Sequence, residues 1–253
     1  MRFVFLTGLL ALPACQIEPQ AMFENSVGSN NLDFIRPSDP QTYACSRFTG
    51  TGTRQMPDPR RDELMADDDR LFEAFFTDGT MVPIWIHPDV PDPETRVAQL
   101  GPPLGHLPTA MRNDLNKVVV LDSDAAFAED LGRFFVIGTE RMDRRLADND
   151  LEETVFHEAF HATLDIPNAS DPDWLAAKQA DGAVLTEYAR NEREDMAEHA
   201  LFVLAVLRHP GRLPVRMEAQ IRETIPNRLA FFQGMLDRGA WTVQVGPTPD
   251  CPG

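Results

Sequence analysis

The sequence predicts an α+β domain in which a small mixed sheet is followed by two functionally important helices. Residues 117–122 and 134–139 are short runs of β-branched and aromatic residues, which is typical of buried strands. Residues 151–167 have the start and stop signals of a helix, and residues 191–207 have the apolar spacing of another. The chain of 253 residues, 43% of them hydrophobic, is long enough for one such domain.

Other segments predict the elements around this core. Residues 60–76 have apolar residues at a spacing that favours a helix. Residues 81–87 favour a strand, and Pro83 favours an edge position because proline cannot donate to a strand ladder. Residues 88–108 hold many of the 21 prolines and are expected to form a surface loop. A short helix is predicted over residues 108–115, and an amphipathic helix broken at Pro226 is predicted over residues 215–237.

The helix over residues 151–167 contains the pentapeptide HEAFH, in which His157 and His161 are four residues apart. Residues at this spacing share one face of a helix, with their Cβ atoms about 6 Å apart. Two imidazoles so placed can bind one Zn²⁺ ion, and Glu158 then lies where it can take a proton from a bound water. Asp150 and Glu153 predict a capping box at the start of the helix. We therefore expect a zinc site with Glu158 as its general base.

A catalytic zinc generally has three protein ligands and an open position for water, so a third ligand is expected elsewhere in the chain. The residues after His161 do not continue into the HExxHxxGxxH pattern of metzincins. Within residues 191–207, Glu194 shares the apolar stripe of Leu201, and a carboxylate buried there is costly unless a cation compensates it. If Asn191 caps the helix, Glu194 occupies a capping-box position and Glu198 becomes the ligand instead. The residues alone leave both glutamates open.

HEAFH followed by residues 194–198 (EDMAE) resembles the HExxH plus ExxxE/D arrangement of zincin metallopeptidases of the gluzincin branch. Over residues 104–207 the chain is similar to the catalytic domain of anthrax-lethal-factor-like peptidases. Their Tyr-x-Arg-Thr-Asn-type segment is matched by residues 188–191 (YARN), which lack the Thr. The resemblance implies a zincin-like domain in which Glu194 binds zinc and Glu198 supports a ligand from behind.

The same resemblance implies a catalytic role for Tyr188, which would steady the oxyanion or protonate the leaving group. The alternative is that Tyr188 is an amphipathic packing residue. His87 and His106 have no partner at ligand spacing and are expected to be surface or hydrogen-bonded histidines, and His199 is expected to be a surface or helix-packing residue. A di-iron bundle needs a second ExxH element, and Met196 stands where its glutamate would precede His199.

The first 14 residues combine a basic start with an apolar run of about ten residues, which is typical of a secretory signal. The residues before Cys15 are similar to a bacterial lipoprotein signal, so Cys15 is the predicted lipidation site, with ordinary signal cleavage as the alternative. Residues 15–41 are expected to form a flexible tether and residues 42–253 the catalytic domain. With Cys15 lipidated, Cys45 and Cys251 are left to form a disulfide in an oxidising compartment.

The formal net charge of −17 and the lack of a basic run argue against nucleic-acid partners. The predicted function is zinc-dependent hydrolysis of a peptide or protein substrate. The protein is expected to be a periplasm-facing lipoprotein of the bacterial cell envelope or a secreted protein. Membrane contact is expected only through a lipid on Cys15. The alternative is a catalytically silent zinc-binding lipoprotein that acts as a binding module. The intact Glu158 favours the enzyme, because a structural zinc site needs no general base.

Overall fold

A mixed sheet lies at the centre of the computed structural model, which describes residues 20–29, 32–58 and 63–251. The strands of this sheet are β1 (Tyr43–Asp58), β2 (Glu63–Phe76), β3 (Met81–Ile86), β4 (Lys117–Leu121), β5 (Ala126–Glu129) and β6 (Phe134–Gly138). Their order across the sheet is β1-β2-β3-β4-β6-β5. Strands β3, β4 and β6 run parallel, and the other neighbours pair antiparallel. The predicted α+β class with a mixed sheet is confirmed.

The helices are α1 (Pro93–His106), α2 (Thr109–Asp114), α3 (Thr139–Asp148), α4 (Leu151–Phe160), α5 (Ile166–Asn168), α6 (Pro172–Asp181), α7 (Asp195–Val203), α8 (Val215–Thr224) and α9 (Pro226–Asp237). The π-helical turns His161–Asp165 and Leu204–Arg208 continue α4 and α7. The break between α8 and α9 at Pro226 and the short helix α2 are as predicted. No helix among the described residues is long and apolar enough to cross a membrane.

Both faces of the central strand β4 are buried, which explains why its sequence is a continuous apolar run rather than an alternating one. Val118 and Val120 belong to the main core, which includes apolar residues of α1, α4 and α7. Val119 and Leu121 point to the opposite face and pack with Met56, from the far end of β1. The side-chain alternation along a strand therefore divides one sequence run between two apolar clusters.

The helix predicted over residues 60–76 is wrong for the described residues 63–76, which form β2. Its buried residues Phe72, Ala74 and Phe76 alternate along the chain, as expected for a strand. Pairing with β1 on one side and β3 on the other supplies its main-chain hydrogen bonds. The apolar spacing of this segment fitted either structure, and the two partner strands decided between them.

The edge position predicted for residues 81–87 is also wrong, since β3 lies between β2 and β4. Strand β4 pairs with β3 only from Ile84 to Ile86, so Pro83 lies outside the segment that pairs on that side. The actual edge strand beyond β6 is β5, which was not predicted. With only the four residues AFAE, β5 is too short to show a clear alternation.

The loop predicted over residues 88–108 is largely replaced by helix α1. Pro93 lies at the start of this helix, where its missing N–H needs no intrahelical partner. Gly101 allows α1 to approach β1 closely, because a Cβ at this position would collide with the Tyr43 ring. The density of proline and glycine here reflects close helix–sheet packing as well as the turns before the helix.

The tether predicted over residues 15–41 is wrong for the described residues 20–29 and 32–40, which pack against the domain. Phe34 and Val27 are buried, and the Phe34 and Ile35 backbone N–H groups donate to Glu153 Oε1 at 3.1 and 2.9 Å. Glu153 therefore fixes the entering chain instead of completing a capping box with Asp150. Cys15 and the predicted signal over residues 1–14 lie outside the described residues. The predicted disulfide between Cys45 and Cys251 is present.

Burial raises the pKa of Glu153 from 4.5 to about 7, although the backbone of Ile35 and Phe34 donates to it. A carboxyl group whose pKa is raised in the folded state stabilises the fold below its unfolded pKa, and that stability is lost as the pH rises through 7. When the pH is raised from 5 to 8, we expect the free energy of unfolding of the metal-free protein to decrease by about 2 kcal/mol because of this group.

Urea unfolding of Glu153→Gln and the wild type at both pH values tests this prediction, and the difference between the two proteins isolates Glu153 from other titrating groups. The glutamine keeps a carbonyl acceptor for the two backbone donors and cannot ionise, so the variant should lose this part of the decrease. Glu152→Gln is the matched control and should retain it. An equal decrease in Glu153→Gln and the wild type would contradict the assignment.

Candidate metal centre

Helix α4 brings the HEAFH residues to the rim of a cleft while its other faces are buried. Val155, Phe156 and Phe160 belong to the main core. The side chains of His157 and His161 remain 12% and 16% exposed and line the cleft. The π-helical turn begins at His161. Such turns within helices occur frequently at functional sites.

The two imidazoles and Glu194 form a three-atom cluster. His157 Nε2 and His161 Nε2 lie 3.2 Å apart, and Glu194 Oε2 lies 3.3 Å from the first and 3.1 Å from the second. A tetrahedral zinc ion with bonds of about 2.0–2.1 Å places its ligand atoms about 3.3–3.4 Å apart. Among the described residues, this trio has the ligand geometry to hold a metal ion. A metal ion held by these three atoms would keep a further coordination position open to the cleft.

Glu194 reaches this position because it immediately precedes α7. The backbone N–H groups of Glu194 and Asp195 both donate to the Asn191 carbonyl, which forms a turn before the helix. Helix α7 therefore begins at Asp195 and not at Asn191. The capping-box alternative for Glu194 is wrong, and Glu194 rather than Glu198 lies with the two imidazoles.

A carboxylate lies behind each histidine, on the side away from the cluster. Asp165 Oδ2 is 2.9 Å from His161 Nδ1, and Glu198 Oε1 is 3.7 Å from His157 Nδ1. Such partners favour a proton on Nδ1 and leave Nε2 free to ligate a metal. Asp165 was not predicted. Its only sequence signal is that it follows His161 by four residues and so shares its helical face.

The charges of this site favour a cation. Burial lowers the pKa of His161, but hydrogen bonds with Asp165 and Glu194 outweigh that effect and raise it to about 10. Burial raises the pKa of Glu194, whereas hydrogen bonds with His157 and His161 dominate and hold it well below its usual range. Without an ion, a proton on His161 partly balances the carboxylates, and a divalent cation would replace it.

Glu158 and Tyr188 face the same cleft, which has a volume of about 800 Å³. Burial raises the pKa of Glu158, and the neighbouring imidazoles oppose that shift. Burial and the Glu194 carboxylate raise the pKa of Tyr188 to about 12, so its hydroxyl is protonated at neutral pH. Tyr188 lies on the 3-10 turn Tyr188–Arg190 with its side chain half exposed. Both predicted catalytic side chains therefore lie beside the three residues that could hold a metal ion.

The cleft is lined by strand β5, by helix α6 and by the residues around Glu194. Strand β5 contributes Ala126, Phe127, Ala128 and Glu129, and its outer edge is not paired within the described sheet. Leu175 and Lys178 of α6 also line the cleft.

The three histidines that were not expected to be metal ligands have hydrogen-bond partners outside this cluster. His87 Nε2 lies 3.2 Å from Asp67 Oδ2, and His106 Nδ1 lies 3.3 Å from the Pro40 carbonyl. His199 Nε2 accepts a hydrogen bond from the Leu185 backbone N–H at 3.1 Å and is fully buried. All three are buried, so the surface alternative is wrong for them, and each has a hydrogen-bond partner.

We expect alanine substitution of His157, His161 or Glu194 to abolish stoichiometric zinc binding, because each removes one corner of the cluster. Asp165→Asn should weaken zinc binding by about 10–100-fold through loss of the acceptor behind His161. Competition with a chromophoric chelator measures both effects. Glu192→Ala, two residues from Glu194 and exposed, is the matched control and should bind zinc as the wild type does. A Glu194→Ala protein with unchanged zinc affinity would contradict this centre.

Comparison of the chain with protein-family models and with curated proteins found no match. Among solved structures, the chain is similar to the metal-free crystal structure of the antirestriction protein ArdC from plasmid R388, with a TM-score of 0.27 and 13% sequence identity. The similarity covers 81% of this chain and 72% of that one. At this TM-score the similarity carries no argument about the fold or the function of this chain.

Proposed function

We propose that this protein is a zincin-like, zinc-dependent peptidase of the gluzincin type. The observation that supports this proposal most is the convergence of the Nε2 atoms of His157 and His161 with Glu194 Oε2, beside Glu158 in an open cleft. Two imidazoles and one carboxylate are a ligand set typical of catalytic zinc. A structural zinc site generally has four protein ligands and no open position.

Glu158 acts as the general base of the proposed reaction. Bound by the two histidines and Glu194, Zn²⁺ would lower the pKa of a water molecule towards about 7 and polarise the scissile carbonyl. Glu158 accepts the proton of that water and then delivers it to the departing amine. Because burial raises the pKa of Glu158, the carboxyl group can hold this proton until the amine leaves.

Tyr188 stabilises the oxyanion in this proposal. Its hydroxyl is near Glu194, and its pKa of about 12 keeps it protonated and able to donate a hydrogen bond. A positioned donor is most effective where negative charge develops in the transition state. The half-exposed side chain has little packing role, which favours catalysis over the packing alternative.

The proposed substrate is an extended peptide segment. The outer edge of β5 offers main-chain groups for strand addition, and β5 lies along one wall of the cleft. We further propose an envelope lipoprotein anchored at Cys15, or a secreted protein. The Cys45–Cys251 disulfide supports this location, because such bonds persist in oxidising compartments.

Glu158→Gln should keep zinc bound but lower kcat by about 10²–10⁴-fold, because the amide cannot accept a proton. Cleavage of a peptide library by the zinc-loaded full chain, with and without a chelator, provides the assay. Glu192→Gln removes a carboxylate from the same cleft and should retain wild-type turnover. If the wild type binds zinc and cleaves no peptide, the silent binding-module alternative replaces the peptidase. An active Glu158→Gln variant would remove Glu158 from the mechanism.

Tyr188→Phe should lower kcat by about 10²-fold with little change in KM, because one oxyanion donor is lost and substrate contacts remain. The melting temperature should stay unchanged, since the hydroxyl is at the cleft surface. Steady-state kinetics and thermal unfolding measure the two effects. Tyr43→Phe is the matched control, because Tyr43 packs against α1 away from the cleft. Equal kcat values for Tyr188→Phe and the wild type would favour a packing role.

A further inference from the structure

The N-terminal segment, defined here as residues 20–29, lies across the back of the metal centre. The Phe23 backbone N–H donates to the Leu185 carbonyl at 2.9 Å, and the Glu187 N–H donates to the Phe23 carbonyl at 2.9 Å. These bonds attach the segment to the loop that leads into Tyr188. The Phe23 ring also stacks on Phe202 of α7 at 5.2 Å. The segment is thus fixed to two elements that carry residues of the site.

Among the described residues, three donors bind the carboxylate of Glu198, which is 1% exposed. Ser26 Oγ donates to Oε1 at 2.6 Å, the Val27 N–H donates to Oε2 at 2.9 Å, and Thr186 Oγ1 donates to Oε2 at 2.7 Å. Two of these donors belong to the N-terminal segment. The hydrogen bond from Ser26 spans 172 residues of sequence.

The oxygen that accepts from Ser26 is the one that faces the metal centre. Glu198 Oε1 lies 3.7 Å from His157 Nδ1, and this buried nitrogen has no hydrogen-bond partner among the residues that the structure describes. An imidazole that ligates a metal through Nε2 needs an acceptor for the proton on its other nitrogen. A small movement of the His157 ring on metal binding would bring Glu198 Oε1 into hydrogen-bond range. The orientation of Glu198 then decides whether that acceptor is in place.

We infer that Ser26 is a positioning residue for His157, and that metal affinity depends on docking of the N-terminal segment. This inference rests on the proposed zinc site. Ser26 holds Oε1 towards His157 while Val27 and Thr186 hold Oε2 on the other side of the carboxylate. Displacement or proteolysis of the segment removes two of the three donors. The occupancy of the metal centre therefore depends on whether the N-terminal segment is docked.

The test is the zinc affinity of Ser26→Ala and Ser26→Thr in the full chain, measured by competition with a chelator and without substrate. Ser26→Ala should bind zinc about tenfold more weakly, at the lower end of the effects seen for residues behind a metal ligand. Ser26→Thr keeps the hydroxyl and should restore affinity to within about twofold of wild type, a recovery that a packing role does not predict. Thermal unfolding of the metal-free proteins verifies that each variant is folded.

Ser29→Ala is the matched control, because Ser29 is an exposed serine of the same segment whose hydroxyl accepts from Arg145 at 3.3 Å. It should bind zinc as the wild type does. If Ser26→Ala binds zinc as tightly as the wild type, or if Ser26→Thr is as weak as Ser26→Ala, the inference is overturned and the proposed zinc site stands. If the wild type binds no zinc, both are overturned.

Discussion

The burial of several carboxylates around two imidazoles is the constraint on which the arrangement of this site depends. Glu158, Asp165, Glu194 and Glu198 all lie within the cleft wall or directly behind it. Removing carboxylates from water is costly unless hydrogen bonds or a cation compensate them. The hydrogen-bond donors of the chain compensate Glu198, and the two imidazoles face Glu194. The negative charge that these groups leave uncompensated is the physical reason for expecting a divalent cation at the three-atom cluster.

The elements behind the cleft keep these charged groups in a single arrangement. Asp195, the first residue of α7, accepts hydrogen bonds from Arg228 at 3.2 and 3.0 Å and lies 3.1 Å from Lys178 Nζ. This network fixes the start of α7 and therefore the position of Glu194 just before it. Buried ion pairs of this kind often add little net stability, because desolvation offsets attraction. Their consequence here is geometric, since a displaced α7 would separate Glu194 from the imidazoles.

Residues 20–29 and 32–40 pack against the domain and belong to this framework. Glu153 on α4 accepts from the backbone of Phe34 and Ile35, and Glu198 on α7 accepts from Ser26 and Val27. Both helices that supply the site thus use a buried glutamate to hold the incoming chain. Strand β5 lines the cleft together with the two imidazoles, and its short length limits the unpaired edge that it exposes.

The sequence by itself determined the parts that depend on local spacing. His157 and His161 share one face of a helix, with Glu158 beside them, because four residues make about one helical turn. The apolar runs of β4 and β6 identify buried strands. Tertiary structure decided the rest. Glu194 joins the histidines across 33 residues, Ser26 reaches Glu198 across 172, and residues 63–76 become a strand only because β1 and β3 lie on either side. The order of the strands and the docking of residues 20–29 and 32–40 likewise follow from long-range packing. Such contacts depend on how distant segments fill the same space, and no local pattern records that choice.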